Sequence, residues 1–551
     1  MKKQLFILLL MILSVSNLWA QRDTEHWFAP MRDRASSTTS QQTLFLSTDS
    51  VTPFAVNIYN NNAVIGTVTI SKGSPGTFVV TRNLIIATTD AECNVASSKG
   101  IYLLGEKPFY ASLRIYYSAH GEFIASKGKA GIGMAFHAVV TPNNYVTTIT
   151  NFVTSIMATV DNTTVTVNGY QPAVQFSNGT TGATNPSITF TLNKGQSYII
   201  EGPGNVAGNA SAFSGAKIVS DKAIAVTNGN MNGNYALGSF GGSDIIMDQS
   251  VPIERLGKTF VIIKGNANIG TNMEGALVTA TEDQTDIFVN GSPTAIATIN
   301  TGQTYRIMDT NYINQGTNHY NMYISTTKNV YVYQLVGGDD TDNATEGFNY
   351  IPPLSCYLPR KIDEIGMIEK MTPTLTPAGL NLKLNILTEA GATVTINGNP
   401  VPAGSGPYNV TGTTNWVTYS VPNPVGNIAV VSNKALTAGV TGGYSTAGYG
   451  GYFAGFSSVP AIVKQSGECI PGLVLAVDDI YETYQWFFNG APISGANTHQ
   501  YTPTLPGVYT ITVSITGCNP VTTPPYSVYP CPTNTTQNVN VCGGKTFTVA
   551  F

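Results

Sequence analysis

Three short elements recur in a fixed order along this chain, and that recurrence restricts it to a protein built from repeated β units. The first element is a turn, a strand of alternating β-branched residues and an Asn-Gly pair. It reads Asp161-Asn162-Thr163-Thr164-Val165-Thr166-Val167-Asn168-Gly169, then Asp283-Gln284-Thr285-Asp286-Ile287-Phe288-Val289-Asn290-Gly291, then Ala390-Gly391-Ala392-Thr393-Val394-Thr395-Ile396-Asn397-Gly398. Alternation puts every second side chain on one face, and Asn-Gly accepts the positive φ that a tight hairpin requires. The second element is Leu192-Asn193-Lys194-Gly195-Gln196-Ser197-Tyr198, repeated as Ile299-Asn300-Thr301-Gly302-Gln303-Thr304-Tyr305. The third, Ile218-Val219-Ser220-Asp221-Lys222-Ala223-Ile224, returns at Ile324 to Val330 and at Val430 to Leu436, with a fainter copy around Lys107. Aligned lysines 107, 222, 328 and 434 set a period of roughly 110 residues, close to a small domain and longer than a solenoid repeat.

The expected organisation is therefore all-β: a degenerate first unit (21–140), then units at 141–256, 257–360 and 361–465, as tandem β-sandwich-like repeats. A β-propeller formed by the four units is the alternative, disfavoured because the unit is much longer than a usual blade. With 11% charged residues and 55 glycines among 551, the chain has material for cores and for many tight turns. A net charge of -4 gives no reason to expect nucleic acid or an anionic membrane as partner. After about residue 466 the pattern changes. Trp486 on one strand, then Pro506-Gly507 leading into an alternating strand with Tyr509, reads as an immunoglobulin-like sandwich over 466–530. Residues 531–551 read as the start of a further β module whose last strand runs to Phe551, so the natural chain is expected to continue.

Lys2-Lys3, an apolar run from Leu5 to Leu13 and Trp19-Ala20 ahead of Gln21 form a secretory leader over 1–20. No later stretch is apolar for long enough to span a bilayer. Six cysteines are few for this length, and four of them (Cys469, Cys518, Cys531, Cys542) crowd the last quarter. Four cysteines allow three pairings; Cys469 and Cys518, which bracket the last sandwich, are the candidate pair.

The three elements, with the Asp248-Gln249 and Leu256-Gly257 junction, resemble the N-terminal domain of IgG Fc-binding proteins, best over 140–350. That resemblance implies a binding role, but no residue here matches an Fc-contacting position. The C-terminal module resembles Ig-like and PKD-like repeats of Bacteroidetes surface proteins of the gliding-motility and adhesin type, which implies export by type IX secretion.

Signals for chemistry are sparse. The five histidines lack metal-ligand spacing, and no hydrolase, zinc-protease or P-loop motif occurs. The acidic loop holding Asp339, Asp340, Asp342 and Glu346 offers oxygen ligands for Ca²⁺, the one cofactor considered. Tyr444, Tyr449, Tyr452 and Phe453, in a Gly-rich stretch, are candidates for stacking on a ligand, with folding back onto a sandwich edge as the alternative. The expected function is non-catalytic: adhesion, or binding of an extracellular glycan or protein through the loops, with cell-surface machinery as a further partner. A secreted glycan-active hydrolase and Fc binding are the alternatives.

Overall fold

In the computed structural model the chain is all-β and forms two units, Trp19–Ser458 and Val459–Phe551. The structure describes residues 23–531 except 36–39, 118–119, 238–241, 340–345, 446, 454–459, 461, 468, 478–480, 517 and 524, together with the backbone of 536–541 and 545–550.

The larger unit contains four sandwich-like repeats, each organised on one long strand. In the first, Ile101–Tyr117 pairs through its N-terminal half with Asp23–Phe28 and Phe54–Asn60. Its C-terminal half pairs with Gln41–Ser47 and His120–Ala125. The sheet folds over between these halves, and Leu44, Leu46, Val56, Ile58, Leu103 and Leu113 fill the space between its layers. The second repeat uses Lys217–Gly233 in the same way, with Ile132–His137 and Thr163–Asn168 on one half and Asn151–Ala158 and Asp244–Gln249 on the other. Strand Ile132–His137 thus belongs to the second repeat by its pairing, and the junction falls before the expected 140/141 boundary. The third repeat uses Tyr320–Gly337. In the fourth the long strand is interrupted into Ile428–Ser432 and Leu436–Tyr444.

The recurring lysine marks the fold-over. Lys222 Nζ donates to the carbonyls of Asp161 (2.7 Å) and Asn162 (3.0 Å), and Lys434 Nζ donates to that of Ala390 (2.6 Å). Each ties the bend to the turn that precedes the Asn-Gly strand. Just before the lysine, Ser220 and Thr326 donate to the carbonyls of Lys222 (2.6 Å) and Lys328 (2.7 Å), which shapes the bend locally. The recurring glutamine clamps its own turn: Gln196 and Gln303 accept the N–H groups of Asn193 and Asn300, both at 2.8 Å. Only the third Asn-Gly copy closes a two-residue hairpin, Ile396 facing Asn399, with φ of 50° at Asn397 and 79° at Gly398.

The four repeats close into a ring. The last strand of each, here called its inner strand, is His120–Ala125, Asp244–Gln249, Glu346–Tyr350 and Ala447–Tyr452. Each inner strand packs against the next, and the fourth packs against the first. The sandwich expectation and the radial alternative therefore both describe part of the molecule. The axis is filled rather than open: Asp244 on the second inner strand reaches Gly448 N on the fourth at 3.1 Å. The fourth repeat is joined to the first by Arg114, whose guanidinium lies 3.7 Å from the Phe45 ring centre and 4.3 Å from that of Phe123. It donates to the carbonyls of Gly366 (3.0 Å), Met367 and Lys370.

The smaller unit has a three-stranded and a five-stranded sheet. Trp486 is fully buried, with Nε1 donating to Thr498 O at 2.9 Å, and Tyr509 Oη donates back to Leu505 O at 2.8 Å. Cys469 is bonded to Cys531, not to Cys518. The reason is positional: Ile470 N donates to Tyr529 O and Cys531 N to Ile470 O, which zips the two segments together beside the sulfurs.

Two measurements check this architecture. A Cβ at Gly347 would lie 2.6 Å from Tyr449 Cα on the neighbouring inner strand. Gly347→Ala should therefore destabilise the ring by about 1–3 kcal/mol in denaturant unfolding. The Cys469–Cys531 bond spans 62 residues, so replacing both by Ser should cost the smaller unit up to about 4 kcal/mol by the loop-closure model.

Candidate binding face

At one end of the ring axis, here called the hairpin end, the ends of the long strands meet the starts of the inner strands of neighbouring repeats. Tyr444 Oη donates to His120 O at 2.6 Å, linking the fourth repeat to the first. Gly121 N donates to Asp244 Oδ1 at 3.1 Å, linking the first to the second. Gly338 packs against the backbone of Ala447 and Gly448, linking the third to the fourth. The Gly-rich run at 442–452 lies on these strand ends, brought to them by ring closure.

The aromatic candidates are buried in that closure. Tyr444, Tyr449, Tyr452 and Phe453 expose 3%, 1%, 2% and 3% of their surface, so they are not displayed to a ligand. The Gly-rich segment forms a strand pair instead of a loop, and its glycines let neighbouring inner strands approach. Gly450 faces the Asn349 side chain and Gly451 faces Phe123. The Phe453 ring meets Phe123 edge-on at 5.5 Å and Tyr110 at 6.3 Å. Of the calcium candidates, Asp340 and Asp342 lie outside the described residues, as does the Glu346 side chain; Asp339 stands just past the third long strand. Among the described residues no three His, Cys, Asp or Glu side chains are placed to hold a metal.

What the hairpin end does present is a small cavity of about 70 Å³ lined by Asp33, Tyr117, His120, Ile149, Met231, Asn232, Ser243 and Ile245, among others. The His120 ring stacks on Tyr117, and Nδ1 lies 3.5 Å from Asp244 Oδ1. Burial disfavours the charged imidazole. The Asp244 carboxylate, helped by Asp33 and the Ser243 backbone, outweighs it and raises the His120 pKa above its usual value.

Beside the cavity runs the loop from Thr141 to Thr150. Asn144 anchors it through hydrogen bonds from Nδ2 to Tyr235 O (3.1 Å) and Ala236 O (2.9 Å). Asn232 Nδ2 donates to Ile149 O at 3.0 Å. With its polar groups so held, the loop turns its apolar side chains outward: Tyr145, Val146, Ile149 and nearby Leu237 keep 49%, 57%, 40% and 40% of their surface. Sequence reading passed over this cluster. Its signal was a Tyr145-Val146 pair with Ile149 in an Asn/Thr setting, outside any alternating strand.

A second cavity of about 290 Å³ lies between the third and fourth repeats, lined in part by Lys264, His319, Lys383 and Tyr408. Burial, with the Lys264 charge, lowers the Lys383 pKa to about 8, and burial lowers that of His319 to about 4. His319 is stacked on Tyr408 at 4.0 Å.

The profile of the IgGFc binding protein family matches residues 123–442, from the first inner strand to the last long strand. The chain belongs to the IgGFc-binding protein family. The matched span takes in the second and third repeats whole, together with the fold-over lysines 222, 328 and 434. No curated protein matches the chain.

The His120–Asp244 contact makes a pH prediction. A raised histidine pKa stabilises the fold fully below the unfolded value of about 6.5, and that contribution is lost as pH rises through the folded value. NMR titration should place the His120 midpoint above 6.5, and Asp244→Asn should bring it down because burial is then less opposed.

Proposed function

We propose that this chain is an exported, non-catalytic binding protein that takes a protein ligand on the hairpin end of its ring. The observation carrying this reading is the exposed apolar group Tyr145, Val146, Ile149 and Leu237 beside the Asp33/His120 cavity. Exposed apolar side chains on a loop whose backbone is anchored to a scaffold are a form that protein-docking sites take. Membership of a family named for binding IgG Fc supports a protein ligand and makes Fc the first one to test.

Export is supported by the leader-like segment over 1–20 and by the Cys469–Cys531 bond, which persists in an oxidising compartment. The buried Trp486 and the Tyr509–Leu505 hydrogen bond support an immunoglobulin-like reading of the smaller unit, as found in surface proteins. The non-catalytic reading rests on how the acids are used. Glu122, Asp244 and Asp248 converge on the axis, but all are buried and bound to backbone N–H groups. A glycosidase needs its two carboxyl groups facing an open cleft.

The test compares the full chain with a Tyr145→Ser/Val146→Ser variant on immobilised IgG Fc and on a glycan array. Binding to Fc that weakens about tenfold or more in a variant of unchanged thermal stability is the expected result. Glycan binding that survives the double substitution, with no retention on Fc, overturns the reading.

A further inference from the structure

The Asp248-Gln249 pair singled out in the sequence has a partner that no motif predicted. Lys127 and Asp248 are both buried, and Lys127 Nζ lies 3.0 Å from Oδ1 and 2.9 Å from Oδ2 of Asp248. The two residues come from different repeats. Lys127 follows the first inner strand, and Asp248 lies on the second. Their alignment is held from the backbone as well, since Lys127 N donates to Gln249 Oε1 at 2.7 Å. The ammonium therefore sits within hydrogen-bond distance of both carboxyl oxygens, beside the carbon that joins them.

We propose that Lys127 and Asp248 condense into an intramolecular isopeptide bond that staples the first repeat to the second. In this step the Lys127 Nζ–Asp248 Cγ bond forms and one Cγ–O bond breaks. The ammonium gives up two of its three protons, and these leave with the departing oxygen as water. One proton stays on the amide nitrogen. The ion pair and the product balance without any oxidant, activating group or metal.

Three features of the site favour this outcome. First, the ion pair is cut off from water, where desolvation penalises both charges, and the neutral amide removes both. Second, two backbone N–H groups already point at the carboxyl oxygens: Gln249 N at 2.8 Å from Oδ1 and Tyr350 N at 2.9 Å from Oδ2. Donors so placed stabilise the oxyanion that forms when nitrogen adds to carbon. Third, a buried acid stands close by. Glu122 accepts the N–H of Met247, the residue before Asp248, at 3.3 Å. Burial and the neighbouring Asp244 and Asp248 charges raise its pKa well above the carboxylate range. Glu122 and Asp248 thus share one buried environment, which disfavours a second negative charge beside the ion pair. The pKa of Asp248 is itself raised, by burial against the opposing pull of Lys127, which favours the form that can lose water.

The test is peptide mapping of the purified full chain by tandem mass spectrometry after unfolding, reduction and trypsin digestion. The expected product is a branched peptide joining the Lys127 and Asp248 segments, lighter than their sum by one water, with no cleavage after Lys127. Recovery of only linear peptides, cleaved after Lys127 and with Asp248 unmodified, overturns the proposal and leaves a plain buried ion pair. Because the wild-type digest decides the question, the outcome does not depend on whether any variant folds.

Discussion

The molecule turns on how four edge strands can meet around an axis. An edge strand carries unpaired N–H and C=O groups, and burying these without partners costs about as much as losing a hydrogen bond for each. Four strands meeting in a ring cannot all complete ladders with one another. The axis is instead satisfied by acidic side chains. Glu122 accepts N–H groups from Met247 and Gly450, Asp244 from Gly121 and Gly448, and Asp248 from Tyr350. Three acids thereby connect inner strands of all four repeats. Glycine is needed beside these contacts: a Cβ at Gly450 would meet the Asn349 side chain on the neighbouring inner strand, and one at Gly121 would meet the Tyr444 hydroxyl. It also explains why so weakly charged a chain places several of its few acids in its interior.

That constraint separates what the sequence discloses from what it hides. The repeats are legible because each must bend a long strand between two layers, and the bend is made with local chemistry. Ser220 or Thr326 shapes the backbone, and Lys222 or Lys434 caps carbonyls. Glutamines 196 and 303 hold their own turns. Local devices recur at fixed spacing, so they can be aligned. Ring closure uses a different residue at each junction: Arg114 on carbonyls between the fourth and first repeats, Lys127 on Asp248 between the first and second. The four inner strands share no motif, and nothing in their spacing shows that the last repeat returns to the first.

The burial of the aromatics, one of the two readings their sequence allowed, follows from the same cause. A run such as Gly442-Gly443-Tyr444 followed by Gly448-Tyr449-Gly450-Gly451-Tyr452 is ambiguous in isolation. Glycine can signal a loop, or it can signal backbones in close approach. The ring makes it the second. Tyr444 spends its hydroxyl on His120 O, and Phe453 fills the gap beside Phe123 and Tyr110. Composition alone could not separate a displayed aromatic from one sealing a joint, because the neighbour that decides it lies more than three hundred residues away in sequence.

A closed ring also settles where variation can be tolerated. The axis, the fold-over bends and the Gln-held turns are each coupled to a neighbouring strand, so changes there propagate into the packing of another repeat. The hairpin end is coupled differently. Its backbone is held by Asn144, Asn232 and Tyr444, while the side chains of Tyr145 and Val146 point away from every core cluster. Side chains there can change without disturbing the bonds that hold the loop. A scaffold that fixes the backbone of a surface and leaves its side chains free suits recognition: ordering costs are met in folding rather than in binding, and the contact chemistry can be altered without loss of the fold.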